Sequence, residues 1–592
     1  MEKTNLSTQL RTHSCNDITE KDIKKEVKLC GWVHSRRDHG GIIFIDLRDK
    51  YGFTQVVLDP KKIPEAIKLK REYCIQILGA VKQRPKGMEN NSINTGQVEI
   101  ETKSLTVLSE SDMPPFEIDD RIEAAEDLRL KYRYLDLRRP KMQQHLILRH
   151  KAAQASREYL SSQNFTEIET PLLVKTTPGG ARVFKVPSRI HAGKFYALPE
   201  SPQMYKQLLM VSGCDRYFQI ARCLRDEDLR IDRQPEFTQI DMEMSFIDRE
   251  DIYAVIEGLL KNIFKKTINL DIKTPFLKMS YHDAMSRYGS DKPDLRFGLE
   301  LKDVTEIMKH SEFNVFKSVI DKKGFVYCLN AKSCGKFSRK EIDELAELAK
   351  VYHLSGLAWI KIEKGKLEGS IAKFISEKLQ KELIKAVDAK DNDLLLFTAE
   401  QFEKCVTALG GIRLHIAKKL DLLNPKDYNF CWVADFPSFE WNEELESWQA
   451  KHHIFTSPLD EDIKYLENNP EKVRAKAYDV VLNGVEIGGG SIRINKKEIQ
   501  TKMLQVTGLT YEEAEKKFDF LLNAFKYGAP PHGGIAIGFD RLCALLCGIN
   551  DIREVIAFPK NKSAENPMDS SPQEWTGNML KELHLKLDIV KK

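Results

Sequence analysis

No stretch of this 592-residue chain approaches the roughly 18 consecutive apolar residues that a membrane helix needs, so no membrane partner is expected. The start of the chain mixes acidic and basic residues without a long apolar run, and no secretory signal is expected either. Its eleven cysteines include no C-x-x-C pair, which removes the usual zinc-ribbon and redox spacings. Cys543 and Cys547 lie one helical turn apart in an apolar run and read as core rather than as ligands. Without a disulfide framework, a reducing, cytoplasmic location is expected. An excess of one charge is missing too. The 92 Lys and Arg against 88 Asp and Glu leave +4, which excludes a general polycation but not a local basic patch. G-x-G-x-x-G and G-x-x-x-x-G-K-[ST] are absent, so neither Rossmann nor P-loop nucleotide binding has support.

What is present is an ordinary soluble composition, 42% hydrophobic and 30% charged, at a length that implies three or four domains. Residues 217–246 read as two strands around a charged loop. Phe218, Ile220 and Leu224 alternate on the first arm. Ile240, Met242, Met244 and Phe246 alternate on the second, with Gln239, Asp241 and Glu243 opposite them. Eight of the thirteen residues in 225–237 are charged, with mixed signs. Arg225 and Arg233 can hold phosphates by paired hydrogen bonds, and Glu227 can accept from an amine or a metal-bound water. Charge pattern alone fits a solvated surface hairpin equally well.

Residues 1–111 are β-rich, with Gly turns at Gly40, Gly41 and Gly52, and five or so short strands fit a small oligonucleotide-binding barrel. Arg36, Arg37, His39, Phe44, Arg48 and Gln55 gather cationic, aromatic and amide groups suited to bases and backbone. From this segment alone, a structural barrel with Phe44 in its core is the simpler reading. Residues 112–140 form a hinge opened by Pro114 and Pro115. Residues 141–290 begin with a helix from Met142, then a strand stopped at Pro171, which suggests a sheet edge and a subunit interface. A helix starting at Ser201-Pro202 carries Gln203 and Lys206 on one face. Lys206 suits an anionic substrate, although a solvated lysine is the simpler reading. Residues 291–425, Lys-rich with alternating strands and helices, read as an inserted domain.

The last block, 426–592, holds Asp479 and Glu486 on a strand running into Gly488, Gly489 and Gly490. Glu486 and Arg493 are seven apart, an odd separation that puts them on opposite faces of a straight strand. They line one site only if the glycines bulge or bend it. Two acids near a polyphosphate suggest Mg²⁺. GGIAIGFDR is a Gly-spaced strand leading to Arg541 at the start of an apolar helix, where the arginine and the helix N-terminus both suit phosphate.

Together these blocks resemble the bacterial-type aspartyl-tRNA synthetases, class II enzymes, over nearly the whole chain. NFTEIETPLL, RYFQIARCLRDEDLRIDRQPEF and GGIAIGFDRL resemble class II motifs 1, 2 and 3. GWVHSRRDHGGIIFIDLRD is similar to the family's anticodon-binding barrel. ESPQMYKQLL, HHIFTSP and NGVEIGGGSIRI resemble subgroup signatures. The resemblance implies an α+β multidomain fold: an N-terminal β-barrel (OB-fold), a class II antiparallel-sheet catalytic domain and an inserted α/β domain. It implies attack of L-aspartate on the α-phosphorus of ATP, then transfer of aspartyl-adenylate to the terminal ribose of tRNA(Asp). Positioning and charge neutralisation carry such chemistry. By resemblance Arg225 meets the α-phosphate, and Asp226, Glu227 and Gln234 serve the adenine end and its loop. Arg541 clamps the γ-phosphate, with Gly538, Phe539 and Asp540 around the nucleotide. Asp479 and Glu486 hold Mg²⁺. Arg493 and Lys206 take the substrate side-chain carboxylate with His452 or His453 nearby, while Gln203 and Asp241 face its ammonium. A homodimer is implied too. Asparaginyl- and lysyl-tRNA synthetases share the motifs, but the Lys206–Arg493 pair and the large insertion argue against them. A non-catalytic tRNA-binding relative is opposed by the joint presence of Arg225, Glu227, Glu486 and Arg541.

In the barrel, Arg37, His39, Phe44, Gln55 and Gly87 are the candidates for reading and discriminating the anticodon. His39 stands where strictly discriminating relatives tend to carry leucine, and Gly87 resembles the glycine of non-discriminating ones, so charging of tRNA(Asn) as well is expected, with a tRNA(Asp)-only enzyme as the alternative. Residues 177–182 read TPGGAR where the family usually reads TPEGAR, which places Gly179 at a glutamate position and removes one acidic contact near the ammonium. Gly179→Glu is therefore expected to lower the aspartate KM; an unchanged KM in steady-state kinetics refutes this.

Overall fold

Alternation dictates the N-terminal domain. Strands β1 (Glu26–His39), β2 (Ile42–Arg48), β3 (Phe53–Leu58), β4 (Cys74–Gln83) and β5 (Val98–Ser109) close a barrel in the order β1-β2-β3-β5-β4. Every second residue points inward, and Val27, Leu29, Ile43, Ile45, Leu47, Val56, Ile75, Ile77 and Ile100 are fully buried. Gly40 and Gly41, at φ +60° and +79°, make the tight β1–β2 turn that side chains with a Cβ disfavour. Phe44 lies between the inward Ile43 and Ile45, so it sits on the outer face, half-buried, and not in the core. Arg48 corrects the expectation in the other direction. It is buried and gives Glu72 two hydrogen bonds of 2.7 and 2.9 Å, and Arg138 adds a third at 2.9 Å.

In this computed structural model the described residues are 6–121, 124–176 and 182–588. They divide into two units. The first joins the barrel and hinge to Leu229–Gln234 and Asp551–Trp575. The segment expected as a hinge contains two short helices, Glu126–Lys131 and Arg133–Asp136. Asp136 is fully buried and accepts from Arg129 (3.0 Å), Arg133 (2.5 Å) and Arg139 (2.9 Å). Arg129 also reaches Glu554 at 2.7 Å, and Arg133 donates to the carbonyls of Arg553, Ile556 and Ala557.

The second unit is built on an eight-stranded sheet. Its strands are β6 (Thr166–Glu167), β7 (Arg216–Leu224), β8 (Glu236–Ser245), β9 (Leu277–Ser280), β10 (Phe430–Ala434), β11 (Ala477–Leu482), β12 (Val485–Ile492) and β13 (His532–Gly538). The order is β9-β10-β11-β12-β13-β8-β7-β6, antiparallel except for the two edge pairs β9–β10 and β6–β7. The helix expected from Met142 is α1 (Pro140–Ser162). The helix carrying Gln203 and Lys206 is α2 (Gln203–Val211), and α3 (Arg249–Ile268) follows β8. The insertion has its own antiparallel sheet of five strands, with Phe325–Ala331 and Leu394–Glu400 at its middle. Both strands read as near-continuous apolar runs because helices cover both faces of the sheet. Arg413 staples the insertion to the chain that enters it. Its guanidinium is buried against the ring of Phe297, 4.0 Å away, and donates to the carbonyls of Asp294, Phe297, Gly298 and Leu299. Among the described residues no helix is long and apolar enough to cross a membrane.

Burial alone would raise the Asp136 carboxyl, but the three arginines outweigh it and hold it below the usual carboxylate range. A carboxyl lowered on folding adds stability above its unfolded pKa, and that stability is lost as pH falls through the folded value. Asp136→Ala removes the carboxylate that three arginines share and leaves the buried Arg133 with carbonyl acceptors alone, a cost of about 3–5 kcal/mol. Hydrogen exchange of amides in 126–139 and 551–557 is expected to accelerate correspondingly; unchanged protection refutes the role.

Candidate active site

One face of the large sheet carries most of the candidate residues, and the strand registers decide which of them share it. Gln219 and Tyr217 on β7 stand opposite Asp241 and Glu243 on β8. Asp241 and Glu243 in turn stand opposite Ala536 and Gly534 on β13. Gly489 and Ser491 on β12 face Ala536 and Gly534 from the other side. A Cβ at Gly534 would fall 2.0 Å from Glu243 Oε2, so only glycine leaves room there for the carboxylate. The β11–β12 pairing slips between Val480 and Val481: Val480 pairs with Gly488 and Val481 with Glu486. This one-residue bulge turns Glu486 onto the face of Gly489, Ser491 and Arg493, which a straight strand forbids.

At the centre lie four buried ionic groups. Lys206, on α2, places Nζ 2.7 Å from Asp241 Oδ1 and 3.3 Å from Glu243 Oε2. Arg493 gives Glu243 two hydrogen bonds, at 2.9 and 3.2 Å, and another to Ser491 Oγ at 2.6 Å. Lys206 is 2% and Arg493 5% exposed, so the solvated-lysine reading fails. Burial raises both carboxyls, with opposite net results. Glu243, shared by both cations, stays below its usual range; Asp241 ends above it despite Lys206. Asp241 Oδ2 accepts no hydrogen bond. Burial, reinforced by Arg493 and Lys206, pushes His453 down to about 3, and burial with Lys451 pushes His452 down to about 4. Both rings are therefore neutral at physiological pH. His453 and Gln203 line one cleft with Glu200, Ser201 and Tyr205.

Of the groups expected at a nucleotide, all but Gln234 lie in the unit that holds this sheet. Arg225 lies over the ring of Phe237 at 5.0 Å, and its buried Nε has no partner. Glu227 is half-buried and Asp226 exposed. Arg541 lies in the first turn of α4 (Phe539–Leu546), capped by Gly538, and donates to the Glu486 carbonyl at 2.6 Å. Phe539 is buried, and Asp540 accepts from Thr238 N at 2.7 Å. Both side chains thus have a structural duty that their expected place around a nucleotide did not include. Gln234 belongs to the first unit, where its amide exchanges two hydrogen bonds with the Lys560 backbone. Asp479 and Glu486 flank Gly489: a Cβ there would lie 2.6 Å from one carboxylate and 3.6 Å from the other. Burial, then Glu486 and Asp291, push the Asp479 carboxyl well up. Such a pair suits a hard cation that keeps waters and phosphates as its other ligands. Among the described residues no cluster of three such ligands exists. Gly179 lies outside the described residues.

On the barrel, Arg37 stands opposite Phe44 and reaches Asp46 (3.1 Å) and Gln55 (3.4 Å), while Gln55 donates to Glu99 at 2.8 Å. His39 is exposed at the end of β1, and Gly87 is exposed at φ +86° in the loop after β4. Sequence reasoning did not single out three residues beside this buried group: Glu243, Gln207, which lies 3.1 Å from Gln203, and His532, which lies 3.1 Å from Gln207. Glu243 was visible as the next alternate residue after Asp241, and Gln207 as the i+4 neighbour of Gln203. His532 carried no local signal.

The comparisons with known proteins agree with this geometry. The family model for tRNA synthetases class II (D, K and N) matches residues 125–562, and that for the OB-fold nucleic acid binding domain matches 27–108. The chain is 52% identical over 583 residues to an aspartate--tRNA(Asp/Asn) ligase of Caldanaerobacter subterraneus subsp. tengcongensis, covering 98% of each. It is 53% identical to the protein of that name in Geotalea uraniireducens, covering 97% of this chain and 98% of that one. It is 50% identical to an aspartate--tRNA ligase of Ruminiclostridium cellulolyticum, covering 98% of each. In fold it resembles the asparaginyl-tRNA synthetase of Pyrococcus horikoshii solved with asparaginyl-adenylate, at TM-score 0.58 and 20% identity over 92% of this chain and 97% of that one. Carrying the matched catalytic sheet and barrel together, the chain belongs to the class II tRNA synthetases of the aspartate, lysine and asparagine group.

Proposed function

We propose that this protein ligates L-aspartate to tRNA(Asp) and tRNA(Asn), in two steps through aspartyl-adenylate. The observation that carries the reading is the buried Lys206–Arg493 pair beside Asp241 and Glu243. A substrate carboxylate entering there meets two cations. An asparagine amide would turn NH₂ donors toward donors, and a lysine would bring like charge, so the site selects for aspartate. The unpartnered Asp241 Oδ2 is an acceptor suited to the substrate ammonium. The α-carboxylate attacks the α-phosphorus of ATP and expels pyrophosphate. Arg225, through its unpartnered Nε, and Arg541 offset the negative charge that develops on the phosphates. Mg²⁺, held by Asp479 and Glu486, supplies further neutralisation when bound. The terminal ribose of tRNA then displaces the nucleotide, with no covalent enzyme intermediate.

For tRNA selection, Arg37, Phe44 and Gln55 offer a cation, a stacking ring and an amide on one barrel face. His39 and Gly87 favour acceptance of both tRNAs, in keeping with what the names of the Caldanaerobacter and Geotalea relatives say of those proteins. A homodimer is favoured by Leu172 and Leu173, 49% and 53% exposed just after the edge strand β6; a monomer mass by sedimentation would remove that part. Eleven free cysteines suit the reducing cytoplasm.

Pyrophosphate exchange is expected with aspartate alone, and exchange driven by asparagine or lysine would overturn the specificity argument. Arg493→Lys is expected to lower kcat/KM for aspartate by about a hundredfold with the ATP KM nearly unchanged, because an ammonium cannot reproduce the two-pronged contact. Aspartylation assayed on both tRNAs tests the broader specificity; no charging of tRNA(Asn) leaves the tRNA(Asp)-only enzyme.

A further inference from the structure

Beneath the candidate ammonium site runs a chain of three side chains with a fixed direction. Gln203 Nε2 lies 3.1 Å from Gln207 Oε1, one turn further along α2. Gln207 Nε2 lies 3.1 Å from His532 Nε2, and His532 Nδ1 lies 2.8 Å from the Pro530 carbonyl. Gln207 and His532 are both 0% exposed. The carbonyl oxygen of Pro530 can only accept, so Nδ1 carries the proton. Burial keeps the ring neutral, which leaves Nε2 as a lone pair that accepts from the Gln207 amide. Gln207 must then present its oxygen to Gln203, and Gln203 must give its nitrogen to Gln207. The free end of this hydrogen-bond chain is Gln203 Oε1, and Gln203 lines the cleft that His453 also lines.

We infer that His532 and Gln207 are positioning residues that fix the direction of the Gln203 amide, so that its oxygen faces the ammonium of the amino-acid substrate. With the amide reversed, an NH₂ group would confront the ammonium, and donor would meet donor. The chain deepens the aspartate-activation reading and rests on Gln203 as an ammonium contact. It acts on amino-acid binding and leaves the nucleotide contacts of Arg225 and Arg541 alone.

The test is aspartate-dependent pyrophosphate exchange by the full-length protein, with melting curves recorded for every variant. Gln207→Met, of similar volume, is expected to raise the aspartate KM about tenfold, the loss of a hydrogen bond to a charged group, while the ATP KM and kcat stay within about twofold. His532→Phe is expected to act alike, and the double variant to be no worse than either single one. His532→Gln is expected to restore the KM, since it can accept from Gln207 and donate to Pro530. If His532→Phe does not fold, Gln207→Met and His532→Gln decide. A folded Gln207→Met with unchanged aspartate KM overturns the inference, and so does a parallel loss in ATP KM and kcat. Gln203→Met separates the two levels. If it leaves the aspartate KM unchanged, the ammonium-contact reading fails. If it raises the KM while Gln207→Met does not, only the chain fails.

Discussion

Four charges buried within hydrogen-bonding reach of one another set the terms for the catalytic unit. Lys206, Asp241, Glu243 and Arg493 each carry a desolvation cost of several kcal/mol, which only close pairing offsets. The pairing depends on three separate elements keeping register: α2 for Lys206, β8 for the two acids, and the end of β12 for Arg493. The glycines of β13 are part of the same constraint, because a side chain at Gly534 would occupy the place of the Glu243 carboxylate. An array assembled before substrate arrives reorganises little when charge enters it, and that is the condition under which fixed charges accelerate a reaction most.

The sheet offers two unlike regions along one face. Around β8 and the end of β12 the charges are balanced and buried, which is what the proposed amino-acid site rests on. Toward Asp479 and Glu486 the acids face each other, and Asp479 is driven up by burial and its neighbour, an arrangement relieved by a cation. The bulge in β12 joins the two regions. It brings Glu486 to the face of Arg493, while Arg541 reaches across to the Glu486 carbonyl. A single inserted residue thereby lets one strand contribute both to the candidate metal pair and to the candidate amino-acid pocket.

The other parts are held by the same kind of device, arginines buried against many acceptors. Asp136 collects three of them in the hinge, Glu72 collects Arg48 and Arg138 beside the barrel, and Arg413 meets only carbonyls and rings at the root of the insertion. Planar guanidinium groups with five donors suit such junctions because they satisfy several loop carbonyls at once. These residues look like ordinary surface charge in the sequence.

Alternation along a strand is a local property, so the barrel, the 217–246 hairpin and the mixed strand and helix content of the insertion were legible from the sequence, and so was the acidic face of Gln239, Asp241 and Glu243. By resemblance the motif order proposes Arg225, Glu486, Arg493 and Arg541 for one site, and strand parity alone states that Glu486 and Arg493 meet only through a bulge. Tertiary structure alone decided that the bulge exists, that Lys206 is buried rather than solvated, that Arg48 is buried while Phe44 faces outward, and that His532 stands behind Gln207. The reason is the same in each case. Periodicity tells which residues share a face of one element, but burial and partnership are set by the neighbour packed against that face, and for Gln207 that neighbour lies 325 residues away.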